Sequence, residues 1–138
     1  EKITWAIGAS LMLYLRGIVT QFHDIDIMVA ECDAERAEQA ICRIGKEQPR
    51  NGTAQYKTRY FIEFTVDGVD VDLMAGFVIV LDGTDHECPL LPEDITETRI
   101  VNGENVPLHS AARWAEYYRL MGRDAKAGMV KEWIDRAV

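Results

Sequence analysis

Apolar and polar residues alternate most cleanly where Ile25, Ile27 and Val29 interleave with Asp24, Asp26 and Met28. A period of two predicts a strand over residues 24–30 with one buried face. It also places Asp24 and Asp26 on the opposite face, about 7 Å apart. Upstream, Ile3-Thr4-Trp5-Ala6-Ile7 predicts a short apolar strand. Gly8-Ala9-Ser10 follows, then the helix formers Leu11 to Arg16, with Gly17 as a C-terminal stop. Ser10 falls at or near the N-cap of that helix, where free N–H groups and the dipole favour an anion such as phosphate. On local sequence alone, a plain cap on a core helix is the commoner use of such a serine.

Asp33 is expected to cap a helix over residues 34–44, with Ala34, Ala37, Ile41 and Ile44 at helical spacing and Gly45 at its end. Residues 46–53, with Pro49 and Asn51-Gly52, predict a loop. Tyr60–Val66 and Val69–Ala75 are strand patterns joined by Asp67-Gly68, a hairpin signal that also fixes register. Val66 then faces Val69, Phe64 faces Val71 and Ile62 faces Leu73, all six on the core face. On the other face Thr65 opposes Asp70 and Glu63 opposes Asp72. Residues 76–81 predict another strand, stopped at Asp82-Gly83, and residues 84–95 a loop in which Asp85-His86-Glu87-Cys88 is a polar turn without zinc-site spacing. Residues 98–101 and 104–106 predict a small hairpin around Asn102-Gly103, ended by Pro107. Ser110 can cap a helix to about Met121, with Ala111, Trp114, Ala115, Tyr118 and Met121 on one side. Gly122 breaks it, and a second helix covers about 124–137 with Met129, Val130, Trp133 and Ile134 apolar. The expected fold is α/β (α+β): one domain over 1–138, a mixed-sheet core over about 3–106 with flanking helices, and a helical hairpin over about 110–137.

The 138 residues carry a net charge of −8, which disfavours a partner held by phosphate contacts such as bulk nucleic acid. A small nucleotide carried as a metal complex is not disfavoured, because the cation supplies the charge. No apolar run approaches the roughly 18 residues of a membrane span, and no signal peptide is visible. Cys32, Cys42 and Cys88 are odd in number and lack C-x-x-C spacing, so free thiols in a reducing cytoplasm are expected. The chain starts at Glu1 rather than Met, which leaves residues upstream of it an open question.

Against this background the carboxylates acquire chemical meaning. Asp24 and Asp26 on one rigid element suit hard divalent cations with oxygen ligands. With 23 acidic residues, roughly four acid-x-acid pairs arise by chance, so the pair is weak evidence by itself. Glu63, Asp70 and Asp72 share one hairpin face, where like charges across a ladder are destabilising. They either point freely into water or have a cation to hold. Arg119, Arg123 and Lys126 cluster around Gly122. They either reach phosphates or simply favour helix ends and exposed faces.

The order of these pieces resembles the nucleotidyltransferase superfamily, the fold of polymerase beta's catalytic core. Its pattern is a strand, a Gly-Gly/Ser turn and short helix, a strand bearing Asp-x-Asp/Glu, and a third acid on a neighbouring strand. The matching residues are Ala9-Ser10, Asp24 and Asp26, and Asp72 in Val71-Asp72-Leu73. Trp5, Ser10, Gly17-Ile18, His23-Asp24-Ile25-Asp26 and Gly122-Arg123 with Lys126 look closest to small bacterial stand-alone members related to lincosamide and aminoglycoside nucleotidyltransferases. The resemblance covers most of residues 3–136. It departs at Ala9, where the family has Gly.

The resemblance implies transfer of a nucleoside monophosphate from a nucleoside triphosphate to a hydroxyl of a small molecule or a protein. Mg²⁺ or Mn²⁺ would be held by Asp24, Asp26 and Asp72. Gly8, Ala9 and Ser10, with Arg123 and Lys126, would hold phosphates, and Glu63 or Asp70 would assist. A separate acceptor domain of the kind larger members carry has little room here, so a homodimer or a partner subunit is expected to complete the site, and the lack of a long apolar run predicts no membrane partner. Two other readings stay open: a catalytically silent nucleotide-binding or antitoxin-like regulatory module on the same fold, and an acidic α/β domain without a metal site.

Overall fold

The chain's architecture comes from a computed structural model that describes residues 3–48 and 58–136. The elements in order are β1 (Trp5–Gly8), α1 (Ala9–Leu15), β2 (Ile25–Val29), α2 (Ala34–Cys42), β3 (Lys46–Glu47), β4 (Tyr60–Val66), β5 (Val69–Ala75), β6 (Val78–Leu81), β7 (Thr84–Glu87), β8 (Ile95–Val101), β9 (Glu104–His109), α3 (Ala111–Leu120) and α4 (Asp124–Arg136). Among the described residues, seven strands form one mixed sheet in the order β3-β4-β5-β2-β1-β9-β8, and β6 and β7 form a separate hairpin.

Three dipeptides set the hairpins. Asp67-Gly68, Asp82-Gly83 and Asn102-Gly103 all take positive φ at both residues, the conformation of tight hairpin turns. The first gives the expected register: Val66 opposite Val69, Phe64 opposite Val71, Glu63 opposite Asp72 and Thr65 opposite Asp70. Val69 is nevertheless exposed, because the core ends before the turn. The second overturns an expectation. Residues 84–87 are a strand paired with β6, not part of a loop, and His86 lies opposite Ile79. The third hairpin is longer than expected: Pro107 lies inside β9 opposite Thr98 rather than ending it. Lys46–Glu47 is likewise a short strand on β4, while Pro49 and Asn51-Gly52 lie outside the described residues.

β2 is central, so both its faces are covered. One face of the sheet carries Val29, Ile62, Phe64, Val71 and Leu73 against Ala34, Ala37 and Ile41 of α2. Ile44, expected on that apolar stripe, is 68% exposed, because α2 ends at Cys42. The other face carries Ala6, Met28 and Met74 against α1, β6 and α3, with Trp114 and Tyr118 among the largest buried side chains. Of the apolar residues on α4 only Val130 is buried, and Met129 is exposed. The helix ends differ in how they are held. Ser110 Oγ accepts from Arg113 N at 3.2 Å, as its sequence position predicts. Asp33 sits at the N-cap of α2 without capping it; its carboxylate accepts from Thr4 N at 2.9 Å and from Arg36.

Two arginines tie α1 to the far edge of the sheet. Arg16, nearly buried, donates to Glu97 Oε1 at 2.9 Å, Thr96 Oγ1 at 3.1 Å and the His109 carbonyl at 2.9 Å. Arg99 donates to the Leu15 carbonyl at 2.6 Å, satisfying a helix-end acceptor. Arg16→Met is therefore expected to cost about 2 kcal/mol in urea unfolding, since it leaves the His109 carbonyl and Glu97 short of a donor. Arg99→Met, whose side chain is half exposed, should cost clearly less in the same measurement.

Candidate active site

The parallel pairing of β2 with β5 puts Asp26 opposite Asp72, and the flanking antiparallel pairs put Gly8 opposite Asp26 and Glu63 opposite Asp72. Four neighbouring strands thus contribute one row, Gly8, Asp26, Asp72, Glu63, on a single face of the sheet. Two residues along, the same face becomes Ala6, Met28, Met74 and Phe61, and a packed core. The acids stand where that core opens into a cavity of about 730 Å³. Asp24, Asp26, Asp72 and Glu63 line its acidic side; Phe77, Trp114 and Tyr118 form an aromatic wall, and Arg123 lies at the edge.

Asp26 and Asp72 are direct neighbours on adjacent strands, close enough for their carboxyls to share a proton. Burial, then the Asp72 charge, raises the Asp26 carboxyl to about 8. Burial also raises Asp72, to about 6, with Asp24, Glu63 and Asp70 adding repulsion and the bond from Asp26 opposing it. Two carboxylates this close cannot both ionise without a compensating charge. Asp24 precedes β2 and repels both, yet the three acids do not converge on one point. Among the described residues, the cluster of three ligand atoms within 4.8 Å of one another is Glu38, Cys42 and Glu47, none of which lines this cavity. Asp70 is exposed and does not line the cavity.

The β1–α1 turn departs from a plain serine cap. The N-cap is Gly8, one residue before the helix, and Ser10 lies inside the first turn. Ala9 takes φ +52°, a left-handed conformation that suits Gly. A Cβ on Gly8 would lie 2.7 Å from the Trp114 ring, so only glycine lets the indole approach. Ala9 lines the cavity; Gly8 and Ser10 do not. Arg123 and Lys126 both lie over the Tyr118 ring, at 5.2 and 5.3 Å from its centre. Burial and the Arg123 charge hold the Lys126 ammonium below its usual value, while Asp26 pulls it the other way. Arg119 is engaged with Glu116 on the surface. Sequence reasoning missed the aromatic wall, because Trp114 and Tyr118 sit at ordinary core spacing. It also missed Arg59, a cavity-lining residue bonded to Glu87 at 2.5 Å, because the β7 strand that carries Glu87 has the sequence of a loop.

Residues 1–132 match the family model for aminoglycoside-2''-adenylyltransferase. The chain belongs to that family. It is an enzyme of the nucleotidyltransferase type. Solved structures agree on the fold. A proposed nucleotidyltransferase from Thermotoga maritima superposes with a TM-score of 0.73 at 26% identity, covering 99% of this chain and 84% of that one. The antibiotic-resistance factor ANT(2'')-Ia gives 0.55 at 15% identity over 98% and 84% of the two chains. The lincosamide antibiotic adenylyltransferase LnuA gives 0.51 at 12% identity over 79% and 71%. No curated protein sequence matches the chain.

The raised acids make a signed prediction. Below 3.8 Asp26 is protonated folded and unfolded; between 3.8 and about 8 only the folded state keeps the proton. Stability from this group is therefore present at low pH and lost as pH rises through that window. Melting curves from pH 4 to 8 in EDTA should show Asp26→Asn gaining on the parent chain as pH rises, with the gap largest at pH 8. An unchanged gap would remove the shared proton. Ala9→Gly should add about 1 kcal/mol to stability by relieving the left-handed backbone, measured by urea unfolding.

Proposed function

We propose that this chain is a metal-dependent nucleotidyltransferase, moving a nucleoside monophosphate from a nucleoside triphosphate to a hydroxyl of a small molecule. The observation that carries the reading is the pairing of Asp26 with Asp72 on adjacent strands, with Asp24 and Glu63 lining the same cavity: an all-oxygen donor set whose crowded carboxylates need a compensating positive charge. Such a set fits Mg²⁺ or Mn²⁺. When bound, the metal would polarise the reacting phosphate and neutralise charge on the leaving oxygens.

The chain's own groups take the remaining tasks. Asp26 and Asp72, paired across adjacent strands, would hold the cation, and Asp24 would complete the set by turning toward them. Arg123 and Lys126 attract the outer phosphates of the nucleotide, together with backbone N–H groups of the Gly8-Ala9-Ser10 turn. Glu63, on the row beside Asp72, accepts the proton of the attacking hydroxyl or tunes Asp72. Asp70, exposed at the turn end, is the weaker candidate for that task. The names of the related structures, one solved with lincomycin and one with adenylyl-2''-tobramycin, favour an adenylyl donor and an antibiotic-like acceptor.

Asp72→Asn should lower nucleotidyl transfer by at least ~100-fold, the scale of one lost electrostatic contribution, while Asp70→Asn keeps measurable activity. The assay is release of pyrophosphate from each of the four nucleoside triphosphates with Mg²⁺ or Mn²⁺ and a panel of hydroxyl acceptors. Equal activity of Asp72→Asn and the parent chain would refute the assignment. Asp24→Asn and Asp26→Asn should likewise lose the thermal stabilisation that Mg²⁺-nucleotide gives the parent chain.

A further inference from the structure

His109 ends β9 and is fully buried. Its Nδ1 accepts from the Trp114 indole N–H at 2.8 Å. The hydrogen of the neutral ring therefore sits on Nε2, and Nε2 has no hydrogen-bond partner among the described residues. An unpartnered buried N–H costs about 1–3 kcal/mol. A leucine or phenylalanine would fill the same space without that penalty, so packing alone gives no reason for an imidazole here. Its one distinctive contribution is the acceptor it offers to Trp114.

That bond fixes an indole on which the site depends. Trp114 lines the cavity and its ring atoms stand 2.7–2.9 Å from where a Cβ on Gly8 would be. Gly8 is paired with Asp26 and precedes the left-handed Ala9, itself a cavity residue. The imidazole also has little freedom to move. It stacks on Tyr117 with ring centres 6.0 Å apart, and the backbone carbonyl of His109 accepts from Arg16 at 2.9 Å. Burial holds the His109 pKa down to about 4, so Nδ1 remains an acceptor near neutral pH.

We propose that His109 is a positioning residue: its hydrogen bond to Trp114 fixes the indole that backs the Gly8-Ala9 turn and so sets the nucleotide side of the cavity. The functional half of this inference rests on the reading of the cavity as a nucleotide site. The structural half does not.

Two substitutions separate the acceptor from the bulk. His109→Leu keeps volume and removes the acceptor. His109→Asn places Oδ1 where Nδ1 stands and restores it. The first readout is ¹⁵N–¹H NMR of the protein without ligand, with the Trp114 indole signal assigned from Trp114→Phe. His109→Leu should make the indole N–H exchange at least ~10-fold faster, the sign of a lost hydrogen bond. It should also shift the amides of residues 8–10 and 24–26, and His109→Asn should return both towards the parent chain. The second readout is kinetic: KM for Mg²⁺-ATP should rise about 10-fold in His109→Leu with a smaller change in kcat, and recover in His109→Asn. If His109→Leu does not fold, Trp114→Phe decides, since it removes the donor and should shift the same amides. Unmoved amides at 8–10 and 26 in a folded variant overturn the proposal, as does a failure of Asn to restore what Leu loses. A parent chain that neither binds nor turns over nucleotide refutes the function proposed above, while the NMR result still decides whether His109 positions the turn.

Discussion

The parallel pairing of β2 and β5 is the constraint on which the site depends. It brings together two carboxylates that are 46 residues apart in sequence, and it does so where desolvation makes their repulsion expensive. Everything around the pair serves to keep it there. The Asp67-Gly68 turn fixes where Asp72 stands on β5, β1 closes the other side of β2, and the two apolar layers above and below the sheet hold the strands in line. Burial and crowding raise both carboxyls above their usual range, and on the proposed function a cation relieves the repulsion.

The same face shows how one sheet serves two ends. Asp26 and Met28 are neighbours on it, as are Asp72 and Met74. Over two residues the environment changes from a cavity wall to a close-packed core. That core anchors Trp114 and Tyr118, so the aromatic side of the cavity is an extension of the hydrophobic interior rather than a loop laid over it. A site built this way is as rigid as the core beneath it.

Local chemistry explains which features are legible in the sequence. Asp67-Gly68 specifies its turn without help from the rest of the chain, so the register that opposes Glu63 to Asp72 can be read directly. Ser110 as a helix cap is legible for the same reason. Asp82-Gly83 carries the same information, but β7, Thr-Asp-His-Glu, has no apolar alternation, so the signal lacks a second strand to join. Pro107 reads as a strand end until it is known that β9 pairs with β1 only around Leu108, leaving room for a residue without an N–H. The Asp26–Asp72 contact is suggested by family resemblance alone, because parallel pairing joins distant segments by no local rule. The contacts of His109 and Trp114 are invisible in the sequence for a related reason: they depend on where a strand end meets a helix.

The tight turn between β4 and β5 limits length as well as composition. Side chains alternate between faces at every residue, so inserting or deleting one residue between Glu63 and the turn would send Glu63 to the α2 side, and one between the turn and Asp72 would do the same to Asp72. A conservative substitution at Phe64, Thr65 or Val71 changes packing; a change in count exchanges the carboxylate for an apolar residue at the cavity and buries a charge in the opposite layer. The ten residues from Glu63 to Asp72 therefore act as a ruler, and descendants of this chain can vary along it in kind far more readily than in number.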